Sequence, residues 1–500
     1  MAGRLNAASL AGLPADVARP AYDRRRLRAG IVHLGMGAFH RAHQAPVTDL
    51  ALAASGDRRW GIVGVSLRSP ATRDALAPQD GLYTLSLRDV DAAGRPREAL
   101  AVIGAVRRVL VAAEDPAAVL AQIAHPDTRI VSLTVTEKGY CHEPATGRLR
   151  GDDPDIIHDL VRPDAPRSAI GMLVHGLRVR HAAGRGPVTL LSCDNLPANG
   201  DTLRGLVLEF AAAVAPRLRD WIARHCTFPN SMVDRIVPRS SDDDRRRIAA
   251  RLGVADAWPV VGEPFLEWII EDRFAAGRPA WDQPGGARFV ADAAPFERLK
   301  LRMVNGPHSA LAYLGVSAGF ATVSEAVAEP ALRGYLDALM RDEIAPTLPA
   351  TPGLAPDALR ARLLARFANP ALPHRLQQIA MDGSQKLPQR LLDTLRDRLR
   401  AGAGFERLAL AVAAWLQYLG GHDERGASYQ IEDPLAAELR ARVAAAGEGA
   451  AADAARARAL VSYAPVFGDL AGHAAFVDAV ARHASIMRRH GARAAAREAL

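Results

Sequence analysis

The sequence contains very little cysteine. Cys141, Cys193 and Cys226 are the three cysteines in 500 residues, and they are far apart, odd in number and without a CxxC pair. This spacing argues against a disulfide framework and against a structural zinc site, both of which use paired or closely spaced cysteines. The cysteine content therefore predicts reduced thiols in a cytoplasmic protein and no structural zinc site.

Long apolar runs and clustered positive charge are also lacking. No uncharged apolar run approaches the roughly 18 residues that cross a membrane, and the N-terminus lacks the apolar core of a signal peptide. The net charge is +8, but the basic residues are scattered and are not interleaved with aromatics, which disfavours nucleic acid as a partner. With 49% apolar residues over 500 positions, the chain is predicted to be globular, with at least two domains and no membrane contact.

Lysine is the rarest charged residue. Of the 63 basic residues 60 are arginine, and only Lys138, Lys300 and Lys386 are lysine. Arginine keeps its proton at any physiological pH, whereas a desolvated lysine can lose its proton near neutrality and act as a base. Each lysine is therefore either required as lysine or present by chance in a chain that otherwise uses arginine. All three lie in dense polar clusters, which favours the first interpretation.

A glycine turn follows the first apolar segment. Residues 31–34 read IVHL and predict a short buried strand, the next residues supply Gly35 and Gly37, and an alanine-rich helix is predicted to about Ser55. A strand, a GxG turn and a helix form the first unit of a dinucleotide-binding fold, where the glycines let the backbone approach a pyrophosphate. His40 occupies the position of the third glycine, so a tight turn without a ligand stays an alternative.

The second predicted strand ends where such folds place a residue on the adenosine ribose. Residues 60–67 form this strand, and Arg68 and Ser69 follow it in place of the usual acidic residue. The pair either accepts the 2′-phosphate of NADP or is solvated surface.

Further strands predict a larger sheet. They are expected at residues 82–87, 100–106, 129–136 and 187–192. Glu137 and Asn195 lie just beyond the carboxyl ends of the last two of these strands, where open α/β sheets bind ligands. One helix is then predicted from Asn199 to about His225, followed by a polar turn at residues 229–235.

Beyond residue 295 the strand-like runs give way to amphipathic helices. The fold class is therefore predicted as α/β, with an N-terminal Rossmann-like dinucleotide-binding domain followed by a mostly α-helical C-terminal domain. The predicted boundaries are an arm at residues 1–28, the NAD-binding domain at 29–294 and a helical substrate and catalytic domain at 295–500, with DGSQKLP at 382–388 interrupting its helices.

Lys300, Asn305 and His308 lie close together in an otherwise apolar stretch. Hydride transfer from a secondary alcohol needs a base for the hydroxyl proton and donors for the developing alkoxide. Lys300 can be the base, the amides of Asn195 and Asn305 can donate, and His308 either orients the substrate oxygen or is an interior histidine. The chain has no closely spaced zinc ligands and no Tyr–Lys pair four residues apart, so a lysine base is what remains.

Seven segments closely resemble the long-chain polyol-specific dehydrogenases, the family of mannitol 2-dehydrogenase and fructuronate reductase. The matching segments lie in order between about residues 31 and 400: IVHLGMGAFHRAHQA, TVTEKGY, SCDNLPANG, PNSMVDRIVP, EPFLEWIIEDRFAAGRPAW, KLRMVNGPHSALAYLG and IAMDGSQKLPQR. The resemblance implies an NAD-linked, metal-independent dehydrogenase acting on a small-molecule hexuronate, ketose or polyol, and often a monomer.

The resemblance also implies roles for individual residues. Lys300 would be the catalytic base, Asn195 and Asn305 the oxyanion site, and Glu137 a residue concerned with proton movement. The substrate contacts would be His308, Asp234 and Lys386, and the cofactor-binding residues Gly35, Gly37, Phe39, His40 and Arg41, with Arg68 and Ser69 at the adenosine end.

Two departures from the family pattern bear on specificity. Arg68 and Ser69 replace the acidic ribose contact of the NAD-specific mannitol enzymes, so NAD is expected and NADP is not excluded. Gln378 replaces an arginine that the mannitol enzymes place four residues before the DGS turn. The surrounding sequence HRLQQIAMDGSQKLPQR favours fructuronate reductase, which reduces D-fructuronate to D-mannonate, over mannitol 2-dehydrogenase or another polyol dehydrogenase. A cofactor-binding regulatory protein without turnover is the alternative from another class.

Overall fold

A computed structural model describes residues 3–91, 93–143, 146–349, 355–447, 449 and 452–500. The chain forms two compact units, Met1–Ala294 and Pro295–Leu500. Treating residues 1–28 as a separate arm stays a prediction. No helix among the described residues is long and apolar enough to cross a membrane.

The first unit is built on a five-stranded parallel sheet. Its order is β5-β2-β1-β6-β7, with every neighbouring pair parallel. The strands are β1 Ile31–Leu34, β2 Ile62–Ser66, β5 Val106–Val111, β6 Ile130–Leu133 and β7 Thr189–Ser192. β1, β2, β6 and β7 are buried throughout, as expected for parallel strands that helices cover on both faces. The predicted Rossmann-like α/β fold is confirmed.

Two smaller sheets complete the strands of this unit. One has the order β4-β3-β9 and the other β11-β10-β8. Their strands are β3 Tyr83–Val90, β4 Pro96–Ile103, β8 Ser231–Asp234, β9 Val260–Gly262, β10 Glu267–Glu271 and β11 Arg288–Val290.

The helices of the first unit connect and cover these strands. They are α1 Ala38–Ala42, α2 Gln44–Ser55, α3 Ala71–Leu76, α4 Pro116–Ala124, α5 Pro154–Val161, α6 Ala169–Ala182, α7 Asn199–Val214, α8 Pro216–His225 and α9 Asp242–Leu252.

The regular elements of the second unit are helices, and its described residues contain no strand beyond isolated β-bridges, as predicted. Its α-helices are α10 Ala294–Lys300 (which begins at the unit boundary), α11 Gly306–Ser317, α12 Val323–Ala328, α13 Pro330–Ala338, α14 Pro356–Phe367, α15 Leu376–Ala380, α16 Gly383–Leu387, α17 Asp393–Arg400, α18 Glu406–Tyr418, α19 Ala436–Ala445, α20 Asp453–Val461, α21 Ala464–Phe467 and α22 Ala474–Glu498. π-Helical segments occur at Leu301–Asn305, Leu339–Ile344 and Pro388–Leu392. Buried leucine, alanine and aromatic side chains from most of these helices form one core.

Proline and glycine explain two differences from the sequence prediction. The helix expected from Asn199 to His225 is two helices, because Ala215 is extended before Pro216, which has no N–H to continue the ladder. The strand expected at residues 100–106 is the end of β4 and the start of β5, which belong to different sheets. The chain changes sheet at Gly104, where a side chain would meet Pro20 at 2.4 Å.

Regular structure occurs in two segments predicted as a turn and as an interruption between helices. The polar turn expected at residues 229–235 contains β8, which pairs antiparallel with β10 and so satisfies its backbone. The interruption expected at residues 382–388 contains α16, which begins after Asp382 in a left-handed conformation. Pro388 follows α16 without a break and opens the π-helical segment, and because it has no N–H it cannot donate to the turn before it.

Candidate active site

The glycine turn after β1 has the geometry that close backbone approach requires. Gly35 has φ +90°, and a side chain there would meet the Thr134 carbonyl oxygen at 2.1 Å, so only glycine fits. A Cβ on Gly37 would have only the Gly35 oxygen nearby, at 3.8 Å, and would project into otherwise open space. The turn therefore leaves room for a phosphate group against its backbone, as a dinucleotide needs.

His40 lies beneath this turn. Its ring stacks on His33 with the centroids 3.5 Å apart, and both side chains are fully buried. The two ring nitrogens of His33 lie 2.8 Å from the hydroxyls of Ser132 and Thr134 on the neighbouring β6 segment. His40 thus supports the turn from the core, and its predicted contact with the cofactor stays a prediction.

Phe39 and Arg41 are placed differently from each other. Phe39 is partly buried and stacks on His43 with a centroid distance of 4.8 Å. Arg41 is buried, donates to the Trp258 carbonyl oxygen and lies over the Tyr83 ring. The structure therefore gives Arg41 a role in holding the strand-to-helix connection against β3.

The carboxyl ends of β6 and β7 bring Glu137 and Asn195 to the same edge of the sheet. Glu137 is half-buried in a 3₁₀ turn, and Asn195 is exposed. In a sheet of this order the nicotinamide half of a dinucleotide lies on the side of these two strands. Both residues therefore lie at the edge of the sheet where such folds bind ligands, and their roles stay predictions.

Asp194 is a buried residue that sequence reasoning did not assign. Its carboxylate accepts hydrogen bonds from the backbone N–H groups of Val135 and Thr136, at 3.0 and 2.9 Å, and from the Tyr140 hydroxyl at 2.8 Å. Burial raises the pKa of Asp194 to about 6. Thr136 has φ +63°, a strained value for a β-branched residue. The hydrogen bonds from Val135 and Thr136 to Asp194 hold this conformation and so fix the loop that presents Glu137.

A second network fixes the segment that carries Asp234. The Asn199 amide donates to the carbonyl oxygens of Asp194 and Ser231, at 3.0 and 2.8 Å, and its oxygen accepts from the Ser231 N–H at 2.9 Å. Ser231 begins β8, and Asp234, which is buried, ends it. The network therefore joins the loop after β7 to the strand bearing Asp234.

In the second unit, Lys300, Asn305 and His308 lie on an unbroken helical path. α10 ends at Lys300, a π-helical turn spans Leu301–Asn305, and α11 follows. The Gly306 N–H bonds to the Leu301 oxygen, five residues back. This wider turn brings residues five apart, such as Lys300 and Asn305, nearer to one face than an α-helix would.

Two polar atoms on this path are unsatisfied. Lys300 and Asn305 are buried, at 6% and 8% exposure, and His308 is partly buried. Among the described residues, Asn305 Nδ2 and His308 Nε2 are buried without a hydrogen-bond partner. These two atoms are therefore available to hydrogen-bond a ligand.

The surroundings of His308 favour its neutral form. Its ring stacks on Phe367, with a centroid distance of 4.7 Å, and meets the His374 ring edge-on at 5.2 Å. Burial lowers the pKa of His308 well below 6.5, and the nearby charges of His374, Arg390, Arg366 and Lys300 lower it further. A neutral His308 can donate or accept one hydrogen bond at Nε2.

The remaining predicted substrate contacts lie on α15 and α16. Gln378 is exposed on α15, and Lys386 on α16 donates to the Met381 carbonyl oxygen at 2.6 Å. Arg390, which sequence reasoning missed, donates to the Ser309 hydroxyl at 3.0 Å, next to His308. No group of three His, Cys, Asp or Glu side chains in the described residues could bind a metal ion.

The buried histidines predict a pH-dependent stability. Burial lowers the pKa of His33 to about 3 and that of His40 well below 6.5, so the folded chain keeps both neutral while the unfolded chain protonates them. The free energy of unfolding should therefore fall as pH falls below about 6.5, by about 1.4 kcal/mol for each of these histidines at about pH 5.5.

Two buried carboxyls oppose this trend without reversing it. Burial raises the pKa of Asp49 and Asp194 to about 6. Their contribution to the free energy of unfolding therefore grows as pH falls through about 6, by about 0.8 kcal/mol each at about pH 5.5. Thermal unfolding between about pH 7.5 and 5.5 should show a falling midpoint, and a smaller fall in His40→Asn. An unchanged midpoint over this range would contradict the neutral state of the buried histidines.

Comparison with known proteins gives a consistent result. Residues 29–283 match the family model of the mannitol dehydrogenase Rossmann domain, and residues 292–487 match that of the mannitol dehydrogenase C-terminal domain. The chain is 45% identical over 482 residues to D-mannonate oxidoreductase of Escherichia coli, covering 95% of this chain and 97% of that protein. It is 42% identical over 443 residues to mannitol 2-dehydrogenase of Phaeosphaeria nodorum, covering 88% and 77%.

Among solved structures, a ternary complex of Pseudomonas fluorescens mannitol 2-dehydrogenase with NAD and D-mannitol is similar to this chain. The TM-score is 0.90 and the sequence identity 38%, with 99% of both chains covered. The similarity thus extends over both units and to the level of sequence.

Proposed function

This chain belongs to the mannitol dehydrogenase family, and we propose that it reduces D-fructuronate to D-mannonate with NADH. Membership makes it an oxidoreductase that acts on CH–OH groups. Two relatives of nearly equal identity, 45% and 42%, are named for different reactions, D-mannonate oxidation and mannitol oxidation. The choice between the substrates therefore rests on the residues of the candidate site.

The cationic surroundings of His308 support a substrate carboxylate. The charged groups that lower the pKa of His308 are all positive, and they include Arg390, Arg366 and Lys300. A hexuronate carries a carboxylate that arginine can bind through paired, charge-assisted hydrogen bonds, whereas fructose carries no charge. An uncharged ketose offers the two guanidinium groups no charge-assisted pair of this kind. This concentration of positive charge is the observation on which the choice of D-fructuronate rests.

The cofactor is NAD, and the first unit has the features that bind it. The Gly35–Gly37 turn leaves backbone room for the pyrophosphate, and Glu137 and Asn195 lie on the nicotinamide side of the sheet. When bound, NADH supplies the hydride that reduces the ketone carbon to the secondary alcohol.

The residues of this chain provide the proton and the electrostatic stabilisation. Lys300, as the ammonium ion, donates the proton that the alkoxide oxygen takes up, and in the reverse direction the neutral amine accepts the hydroxyl proton. Asn195 and Asn305 donate to the oxygen as negative charge develops there, and neutral His308 donates from Nε2 to orient it. Glu137, on its loop fixed by Asp194, exchanges the proton with water. Asp234, Lys386 and Gln378 contact the hydroxyl chain of the substrate.

Mannitol 2-dehydrogenase activity is the second candidate, because the similar complex contains D-mannitol. A monomeric state and a cytoplasmic location stay predictions.

Replacing Arg390 tests the substrate assignment. If the guanidinium of Arg390 binds the carboxylate, Arg390→Met should raise KM for D-fructuronate by about 10-fold to 100-fold while changing KM for D-fructose less than about threefold. Initial rates of NADH oxidation over a range of both substrates measure this. The matched control is Arg400→Met, at an exposed arginine of α17. Equal changes for the two substrates would refute a carboxylate contact at Arg390.

A further inference from the structure

A cavity of about 480 Å³ opens at the carboxyl ends of β2 and β5. Its walls include Leu67 and Arg68 after β2 and Ala112 and Ala113 after β5. The sheet order places the adenosine half of a dinucleotide on this side, opposite the strands that carry Glu137 and Asn195. The inference that follows rests on the proposed function, because it concerns the cofactor of that reaction.

The cavity is positively charged. Arg68, Arg162 and Arg167 line it together with one carboxylate, that of Asp155. The Arg68 guanidinium lies 3.9 Å from Asp155, and its side chain is 90% exposed. In the described part of the chain, Arg162 and Arg167 have no ion-pair partner. Three guanidinium groups therefore face one carboxylate where an NAD-specific fold presents an acidic residue to the ribose.

We propose that this cavity binds the 2′-phosphate of NADP through Arg68, so that the enzyme accepts NADP as well as NAD. Arg68 is the second residue after β2, close to the position from which an arginine reaches a ribose 2′-phosphate. A guanidinium binds phosphate oxygens through paired hydrogen bonds, whereas an acidic residue at this position would repel them. Ser69 adds a donor: its oxygen accepts from the Ala71 N–H at 3.3 Å, which leaves its hydroxyl proton for a phosphate oxygen.

The test compares two fragments of the cofactor. Adenosine 2′,5′-bisphosphate and 5′-AMP differ only in the 2′-phosphate, so titration calorimetry with the full-length protein isolates that group from catalysis. The wild type should bind the bisphosphate at least as tightly as 5′-AMP. Arg68→Glu should weaken the binding of the bisphosphate by about 10-fold to 100-fold and change the Kd for 5′-AMP less than about threefold. Arg204→Glu, at an exposed arginine of α7 outside the cavity, is the matched charge-reversal control.

Two results would overturn this assignment. One is wild-type binding of the bisphosphate at least tenfold weaker than that of 5′-AMP, and the other is an equal effect of Arg68→Glu on both fragments. NADH binding is measured in parallel. If NADH binds and the bisphosphate does not, the assignment of a 2′-phosphate site is wrong and the proposed dehydrogenase function stands. If NADH does not bind either, the proposed function is wrong as well.

Discussion

Replacing Lys300 with alanine should lower kcat by about 10³-fold to 10⁴-fold while changing the Kd for NADH less than about threefold. General acid–base catalysis by a positioned side chain contributes on this order, and Lys300 is the group assigned to the proton. Lys300 lies on the π-helical path in the second unit, whereas the cofactor residues lie in the first, so cofactor affinity should be preserved. Rates with D-fructuronate and fluorescence titration with NADH measure the two quantities.

Lys300→Arg separates the charge of the lysine from its proton transfer. Arginine keeps the positive charge but does not release its proton, so this variant should be nearly as slow as Lys300→Ala. Primary amines added to Lys300→Ala should restore part of the rate by replacing the missing side chain. If Lys300→Arg keeps more than about a tenth of the wild-type rate, Lys300 is needed for its charge and is not the acid–base group. A full rate in Lys300→Ala would instead favour a regulatory protein or another base.

Removing the amide of Asn305 should have the next largest effect. Asn305→Ala should lower kcat by about 10²-fold to 10³-fold, as loss of one preorganised donor to an oxyanion does in other enzymes. The basis is the buried Nδ2 of Asn305, which has no hydrogen-bond partner among the described residues and so is available to a substrate oxygen. KM should change much less than kcat, because the donor acts mainly on charge that develops in the transition state.

Asn195→Ala should behave in the same way, and Asn199→Ala provides the contrast. The Asn199 amide is engaged with Asp194 and Ser231, so its loss should lower the thermal midpoint. Asn195→Ala and Asn305→Ala should leave the midpoint within about 2 °C of wild type. A rate loss in Asn305→Ala that is matched by a large fall in the midpoint would mean that this amide is structural.

Local patterns predicted the parts of the fold that depend on neighbouring residues. The strand at residues 31–34, the Gly35–Gly37 turn and the change to helices after Pro295 follow from apolar runs, glycine and helical periodicity within short windows. The helix break at Pro216 also has a local cause and could have been predicted, because proline removes a backbone donor.

The other differences arise from contacts between residues far apart in the chain. The strand at residues 231–234 depends on β10, and its link to the β7 loop depends on Asn199, 32 residues before Ser231. Asp194 meets Val135 across 59 positions, so no local window assigns it to the loop that carries Glu137. The sequence signal that pointed to Asp194 was its position between a predicted buried strand and Asn195. The π-helical turn before Gly306 has no sequence pattern of its own, since its apolar residues also fit an α-helix.

The most direct test of the account is the initial rate of NADH oxidation with D-fructuronate and with D-fructose, measured in parallel at equal concentration. We expect a clear preference for D-fructuronate, with D-mannonate as the product and no dependence on added metal. A clear preference for D-fructose would make the protein a mannitol 2-dehydrogenase and would contradict the assignment of the cations around His308 to a substrate carboxylate.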